Sequence, residues 1–239
     1  MPLFGRLDIG KLEQKRDIKE LIKILKQGDN SLREGAEEAL GRIGEQAIVP
    51  LINELRILPF NGTIEISYMT VALGKIGEPA IEPLIAAIRE NNPCLRVNAT
   101  VALGYIGEPA VSPLIKLLLD PDGNVRGLAT AALARIGEPA VEPLLKVLTD
   151  SRVEVRLGAV VAIGPICDRR AIEPLRRALG DDNRWVRLHS AGALTKIDTS
   201  EIQAVKLLRE AAQDYGPDSS DDYRGVAALL LKQISPAQS

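Results

Sequence analysis

The chain has 239 residues, of which 46% are hydrophobic, 3% aromatic and 26% charged, with a formal net charge of −2. That is apolar material for one large core or two ordinary ones, made of the Ala, Leu, Ile and Val that suit closely packed helices. A charge so near zero offers no general attraction to nucleic acid, and two cysteines, Cys94 and Cys167, are too few for a disulfide framework.

Residues 1–16, MPLFGRLDIGKLEQKR, contain no apolar run of signal-peptide length, and no later segment reaches the roughly 18 to 20 apolar residues needed to cross a bilayer. A cytoplasmic protein with no membrane association is therefore expected. From residue 17 the chain repeats itself. ALGKIGEPAIEPLI at 72–85 returns as ALGYIGEPAVSPLI at 102–115 and as ALARIGEPAVEPLL at 132–145. Aligned on the residue that opens the second helix of each unit, the repeat runs through Arg33, Ile66, Arg96, Arg126, Arg156, Arg187 and Arg224, in steps of 33, 30, 30, 30, 31 and 37. Six positions earlier stands a second column, Gln27, Phe60, Glu90, Asp120, Asp150, Asp181 and Asp218. The longer steps fall where RILPFNGTIE (56–65) and QDYGPDSSDDY (213–223) insert turn-forming residues, so both read as elongated loops. Asn61-Gly-Thr63 and Asn98-Ala-Thr100 match the glycosylation acceptor pattern, which has no meaning without export.

Each unit reads as two helices. In the copy at 132–145, Gly137 can take the left-handed conformation that ends one helix and Pro139 fits the first turn of the next, where a missing N–H costs nothing; Pro143 is early enough to be tolerated for the same reason. The repeated phrase is a helix stop followed by a helix start. In the second helix Val125, Ala129, Ala132, Leu133 and Ile136 share one face at helical spacing, and the two alanines allow neighbouring axes to approach closely.

The pattern V-R-x-x-A-x-x-A-L-G-x-I-G-E-P-A-V-x-P-L-I-x-x-L-x-D resembles the HEAT-like repeat named from phycobilisome lyase subunits. The resemblance covers about Asp17 to Ile234. It implies an all-α fold, a right-handed α-solenoid of about seven stacked helix pairs over residues 17–234, with a short tail at 235–239 and the Arg-opened helices on the concave side. Stacked repeats share a continuous core, so end units must be more polar; Gly35-Ala-Glu37-Glu38 fits that capping role.

Catalysis finds little to build on. Asp120 with Arg126, or Asp150 with Arg156, recurs in every middle unit. An active site is needed once, so the acid–base columns read as a structural ladder that caps helix ends and pairs charges between neighbours. The single histidine, His189, has no companion ligands for a metal. Deoxyhypusine hydroxylases, which resemble this family in fold, carry repeated His-Glu motifs that are missing here. Comparison with HEAT-like DNA glycosylases rests on Trp185 with Arg184, Arg187 and Asp181, and the remaining concave positions are too poor in basic and aromatic residues to hold a duplex. No Gly-rich phosphate loop is present. No cofactor and no metal are expected, and the protein is read as a non-enzyme.

What varies around the joint is more informative. Helical geometry at 100° per residue turns the first, fourth, fifth and ninth positions after the ladder residue away from the inward stripe. In the first unit these are Glu34, Glu37, Glu38 and Arg42. In later units they become Ser67, Thr70, Val71 and Lys75; Val97, Thr100, Val101 and Tyr105; Gly127, Thr130, Ala131 and Arg135; and Leu157, Val160, Val161 and Pro165. Tyr68, Asn98 and Leu128 add to the same strip, with Trp185 and His189 beyond it. A contiguous apolar surface marks a binding site and tyrosine makes a good interface anchor. The expected function is thus a scaffold that binds a protein or peptide through Tyr68, Val71, Lys75, Val97, Asn98, Val101, Tyr105, Leu128, Arg135, Leu157, Val161, Trp185 and His189. Lys75, Arg135 and Lys196 would set orientation at its edge. The resemblance also implies an alternative, a lyase-like or chaperone-like accessory to a chromophore-bearing or other client protein.

Overall fold

The computed structural model describes residues 8–58, 64–214 and 221–234. Phe60, Asn61-Gly-Thr63, Asp218 and the tips of both expected long loops lie outside the described residues, as do the first seven and last five positions. All regular structure among the described residues is helical. The chain divides into two compact units, residues 1–113 and 114–239, with the boundary inside one helix.

The N-terminal unit contains α1 (Ile9–Gln14) and three helix pairs: α2 (Ile18–Gln27) with α3 (Asn30–Ile43), α4 (Ile48–Ile57) with α5 (Ile64–Ile76), and α6 (Ile81–Arg89) with α7 (Pro93–Ile106). Helix α8 (Val111–Leu117) carries the boundary. It pairs in sequence with α9 (Gly123–Ile136), and α10 (Glu138–Val147) with α11 (Val153–Ile166), α12 (Ile172–Ala178) with α13 (Arg184–Ile197), and α14 (Ile202–Ala212) with α15 (Asp221–Lys232) complete the C-terminal unit. Seven pairs make an all-α solenoid of repeats. Second helices pack on second helices: α3 on α5 on α7 in the N-terminal unit, and α9 on α11 on α13 in the C-terminal unit.

Local chemistry starts and stops these helices. Asp29, Asn92, Asp122 and Asn183 accept hydrogen bonds from the first-turn N–H groups of α3, α7, α9 and α13, donors that have no partner within the helix. Gly77, Gly107 and Gly137 close α5, α7 and α9 at φ 79°, 79° and 78° with ψ between −140° and −135°, a backbone region open in practice only to glycine. Pro79 and Pro109 then sit in 3-10 turns that lead into α6 and α8, and Pro139 in the first turn of α10. The phrase is the expected joint of helix stop and helix start, but its glycines combine a positive φ with a negative ψ and do not take the left-handed conformation expected of Gly137. The joint after α11 is built differently. Cys167 takes a left-handed conformation (φ 56°, ψ 35°), and Asp168 caps the turn that follows by accepting from the N–H of Arg170 at 2.8 Å. This joint holds one residue more than its predecessors, which accounts for the step of 31 from Arg156 to Arg187.

The core is the expected layer of small aliphatic side chains. Ala72, Leu73, Ala102 and Leu103 in the N-terminal unit, and Ala132, Leu133, Ala162 and Ile163 in the C-terminal unit, are fully buried. Burying each leucine contributes about 1.5–3 kcal/mol against leaving it in water. No helix among the described residues is long and apolar enough to cross a membrane.

Candidate protein-binding site

The Asp and Arg columns form a ladder that is structural in every contact described. Arg156 donates from Nη1 to the carbonyls of Asp150 and Ser151 at 2.8 and 3.1 Å, tying down the end of the preceding helix. Its Nε and Nη2 reach forward to Asp181 of the next unit at 2.7 and 2.9 Å. Arg126 and Arg187 make the same pair of backward bonds, to Asp120 and Pro121 and to Asp181 and Asp182. In the N-terminal unit Arg33 bonds back to Leu25 and Lys26 and pairs forward with Glu65. So each of these four arginines takes the backbone of its own unit, and Arg33 and Arg156 also take a carboxylate of the next. The guanidinium of Arg156 holds the Asp181 carboxyl below its ordinary range, and Arg152, bonded through both side chain and backbone, lowers Asp150 far more.

The outward positions need two corrections. Those four residues past the ladder are packed away: Glu37, Thr70, Thr100, Thr130 and Val160 are all buried. Packing of α3 on α5, α5 on α7 and α11 on α13 closes this flank at Glu37, Thr70 and Val160, and Thr70, Thr100 and Thr130 satisfy their hydroxyls by bonding to the carbonyl four residues back. Asn98, expected on the binding face, is also buried, and its Nδ2 donates to nothing among the described residues. A single-helix projection places these positions outward, and a neighbouring helix covers them.

The other expected residues fall in two groups, one per unit. In the N-terminal unit Tyr68, Val71, Val97 and Val101 are half-buried on α5 and α7, and Lys75 and Tyr105 are exposed, the tyrosine at 44%. Lys75 bonds to Glu37 at 2.8 Å, which raises its pKa. Tyr105 stands against Gly74, where any Cβ would come within 2.5 Å of its own. In the C-terminal unit Leu128, Leu157, Val161, Trp185 and His189 are half-buried and Arg135 is exposed. Of these, Leu157, Val161 and Trp185 meet in a cleft of about 450 Å³ along α9 and α11 and the start of α13. Leu128, Arg135 and His189 are not among its lining.

The rest of the lining includes Leu118, Gly123, Arg126, Gly127, Val153, Glu154 and Asn183. Gly127 was legible as an outward position; Leu118, Val153 and Glu154 carry no distinguishing signal in the sequence. Trp185 is held in place by aromatic neighbours. His189 stacks on it at 6.3 Å, Tyr223 meets it edge-on at 5.2 Å, and the Arg184 guanidinium lies 4.9 Å from the Tyr223 ring centre. Burial, with a smaller push from Lys196, lowers the His189 pKa, and burial raises that of Tyr223. Among the described residues no group of three or more His, Cys, Asp or Glu side chains could hold a metal.

The HEAT repeats family matches residues 81–154 and 141–232, together more than half of the chain. The chain belongs to the HEAT repeat family. No curated protein matches it. Among solved structures it is similar to the archaeal HEAT-like repeats protein from Thermococcus onnurineus NA1, at 14% identity over 99% of this chain and 100% of that one, with a TM-score of 0.43. It is also similar to computationally designed armadillo repeat proteins for modular peptide recognition, at 21% identity over 91% and 99%, TM-score 0.37. A further likeness is to the complex of CpcE and CpcF of phycocyanin lyase from Nostoc sp. PCC7120, at 21% identity over 75% and 98%, TM-score 0.32.

Proposed function

We propose that this HEAT repeat protein is a non-catalytic scaffold that binds a protein or peptide partner on the faces of its second helices. The observation that carries the reading is the cleft of the C-terminal unit, where Leu157, Val161 and the fixed Trp185 ring leave apolar surface open to solvent. Apolar surface at this density is retained where a partner covers it, and an immobilised aromatic loses little entropy on binding. The half-exposed Tyr105 supplies a second anchor of the same kind in the N-terminal unit. The test is capture from the lysate of the source organism on immobilised wild type, Leu157→Glu and Tyr105→Glu chains, read by quantitative mass spectrometry. A protein retained by the wild type and lost from either variant supports the proposal; identical capture by all three overturns it.

A further inference from the structure

Second helices of this protein use glycine as the seat for a side chain of the next one. A Cβ on Gly41, Gly74 or Gly192 would come within 2.8 Å of Lys75, 2.5 Å of Tyr105 or 2.8 Å of Leu230. The first helix pair is covered by α1 in a related way. Helix α1 packs on α3, its Ile9 lies 3.5 Å from where a Cβ of Gly35 would stand, and its Glu13 accepts two hydrogen bonds from Arg42 at 2.8 Å. A glycine seat, an aliphatic side chain and an ion pair finish that end of the repeat array.

The last pair carries the same parts, and among the described residues nothing covers them. The seventh position after the ladder residue is fully buried at Leu40, Leu73, Leu103, Leu133, Ile163 and Leu194 but only half-buried at Leu231 of α15. Three residues earlier, Ala191 is fully buried where Ala228 is half-buried. Further round the same helix Asp222, Gly225, Leu229 and Lys232 are exposed, the leucine at 59%. At 100° per residue these four share an arc of about 80°. A Cβ on Gly225 would meet nothing within 4 Å, and neither Asp222 nor Lys232 is ion-paired among the described residues. In the first unit the positions of Gly225 and Leu229 hold Glu34 and Glu38, the polar surface that keeps an end repeat single. The last unit has an apolar one instead.

The spacing selects what covers it. Asp222, Gly225, Leu229 and Lys232 stand at intervals of 3, 4 and 3 residues, a series that reads the same in both directions. A second α15 laid antiparallel, with the two Ala227 residues level, therefore matches the first position for position. Each Leu229 falls over the other copy's Gly225, and each Asp222 meets the other copy's Lys232. An acid near the start of a helix and a base near its end also complement the helix dipole, but the dipole asks for no bare glycine across from an exposed leucine. Parallel pairing would set like charge against like. Head-to-tail stacking finds no open seat at Gly35, which Ile9 already covers.

We propose that α15 is a self-association surface, on which two copies of this chain pair antiparallel about a two-fold axis, with Leu229 seated on the other copy's Gly225 and Asp222 paired with the other copy's Lys232. The proposal goes beyond the scaffold reading and does not depend on it.

One face of one helix is a small contact, so the pair should be weak, with a Kd of about 10–100 μM. Sedimentation velocity of the full chain from about 5 to about 500 μM spans that range, and the wild type should pass from monomer to dimer and no further. Gly225→Leu puts a side chain into space that is open in the monomer, and leucine favours helix over glycine. Its thermal midpoint by circular dichroism should hold or rise while the Kd rises about tenfold or more. Asp222→Lys and Lys232→Asp each set like charges together at both contacts and should each weaken the dimer about three- to tenfold. An equimolar mixture of those two chains restores both attractions and should associate as the wild type does, which a purely structural role for either residue would not produce. A wild type that stays monomeric over the whole range, assembles beyond dimers, or dimerises equally well as Gly225→Leu would overturn the proposal. So would a mixture that associates no better than its two components.

Discussion

Replacing Gly137 with alanine isolates what the repeated joint costs any other residue. Gly137 ends α9 at φ 78° and ψ −135°, and a Cβ at this position would have nothing within 4 Å. Packing therefore contributes neither clash nor contact, and the whole effect comes from the backbone. Holding an L-residue in such a region costs about 1–3 kcal/mol. Alanine returns about 0.4–1 kcal/mol of this by narrowing the unfolded ensemble. The net expectation is a loss of about 1–2 kcal/mol. In urea, with a slope of about 2 kcal/mol/M, the midpoint should fall by roughly 0.5–1 M with the slope unchanged. Circular dichroism at 222 nm follows the transition, because the lost signal is helix in every repeat. An unchanged midpoint would refute the reasoning: it would mean that the chain passes this joint equally well by another route, and that glycine there is not demanded by conformation.

Four further outcomes follow from the same physics. Cys167→Gly should raise stability by about 0.5–1 kcal/mol, since it relieves a left-handed non-glycine residue; a lower urea midpoint would contradict this. Asn98→Leu, which installs the residue found one repeat later at Leu128, should stabilise by about 1–2 kcal/mol by removing an unpaired buried donor, and destabilisation would show that the amide has a partner in solution. Asp181→Asn should cost about 2–3 kcal/mol near neutrality, below the figure for fully buried pairs because Arg156 keeps 15% of its side-chain surface exposed. The folded-state pKa of Asp181 is depressed, so its contribution is present above the unfolded value of about 3.9 and is lost as the pH falls through the lower folded value; urea midpoints of the two chains should therefore converge only in acid. His189 is also depressed, by burial. Its neutral form stabilises above the unfolded pKa of 6.5, and that stability is lost on acidification towards the lower folded pKa. His189→Phe should flatten the fall in midpoint between pH 7.5 and 5.5, and an equal fall in both chains would refute the assignment.

The joint and the ladder were legible because both are short-range. Glycine's access to positive φ, proline's fit to a first turn and the 3.6-residue stripe act within a few residues, and each recurs often enough to be read as a pattern. The forward half of the ladder, Arg156 to Asp181, was legible only as pairing between neighbours; which arginine meets which acid depends on how successive helix pairs are stacked. The proposed binding face was half legible. Tyr105, Leu157 and Val161 reach partly open surface as helical projection predicts, but Thr70, Asn98, Thr100 and Val160 project outward from their own helix and are buried in the fold.

The cleft itself is a tertiary product. Leu118 follows the first helix of one unit, Gly127 lies in its second helix, Leu157 belongs to the next and Trp185 to the one after, and Trp185 is fixed by Tyr223 from 38 positions further along the chain. Periodicity can say that a residue faces away from its own helix's core stripe. Only the packing of successive second helices decides whether the space it faces holds a neighbour or is left open, because that depends on distances between residues of different repeats, such as Leu157 and Trp185.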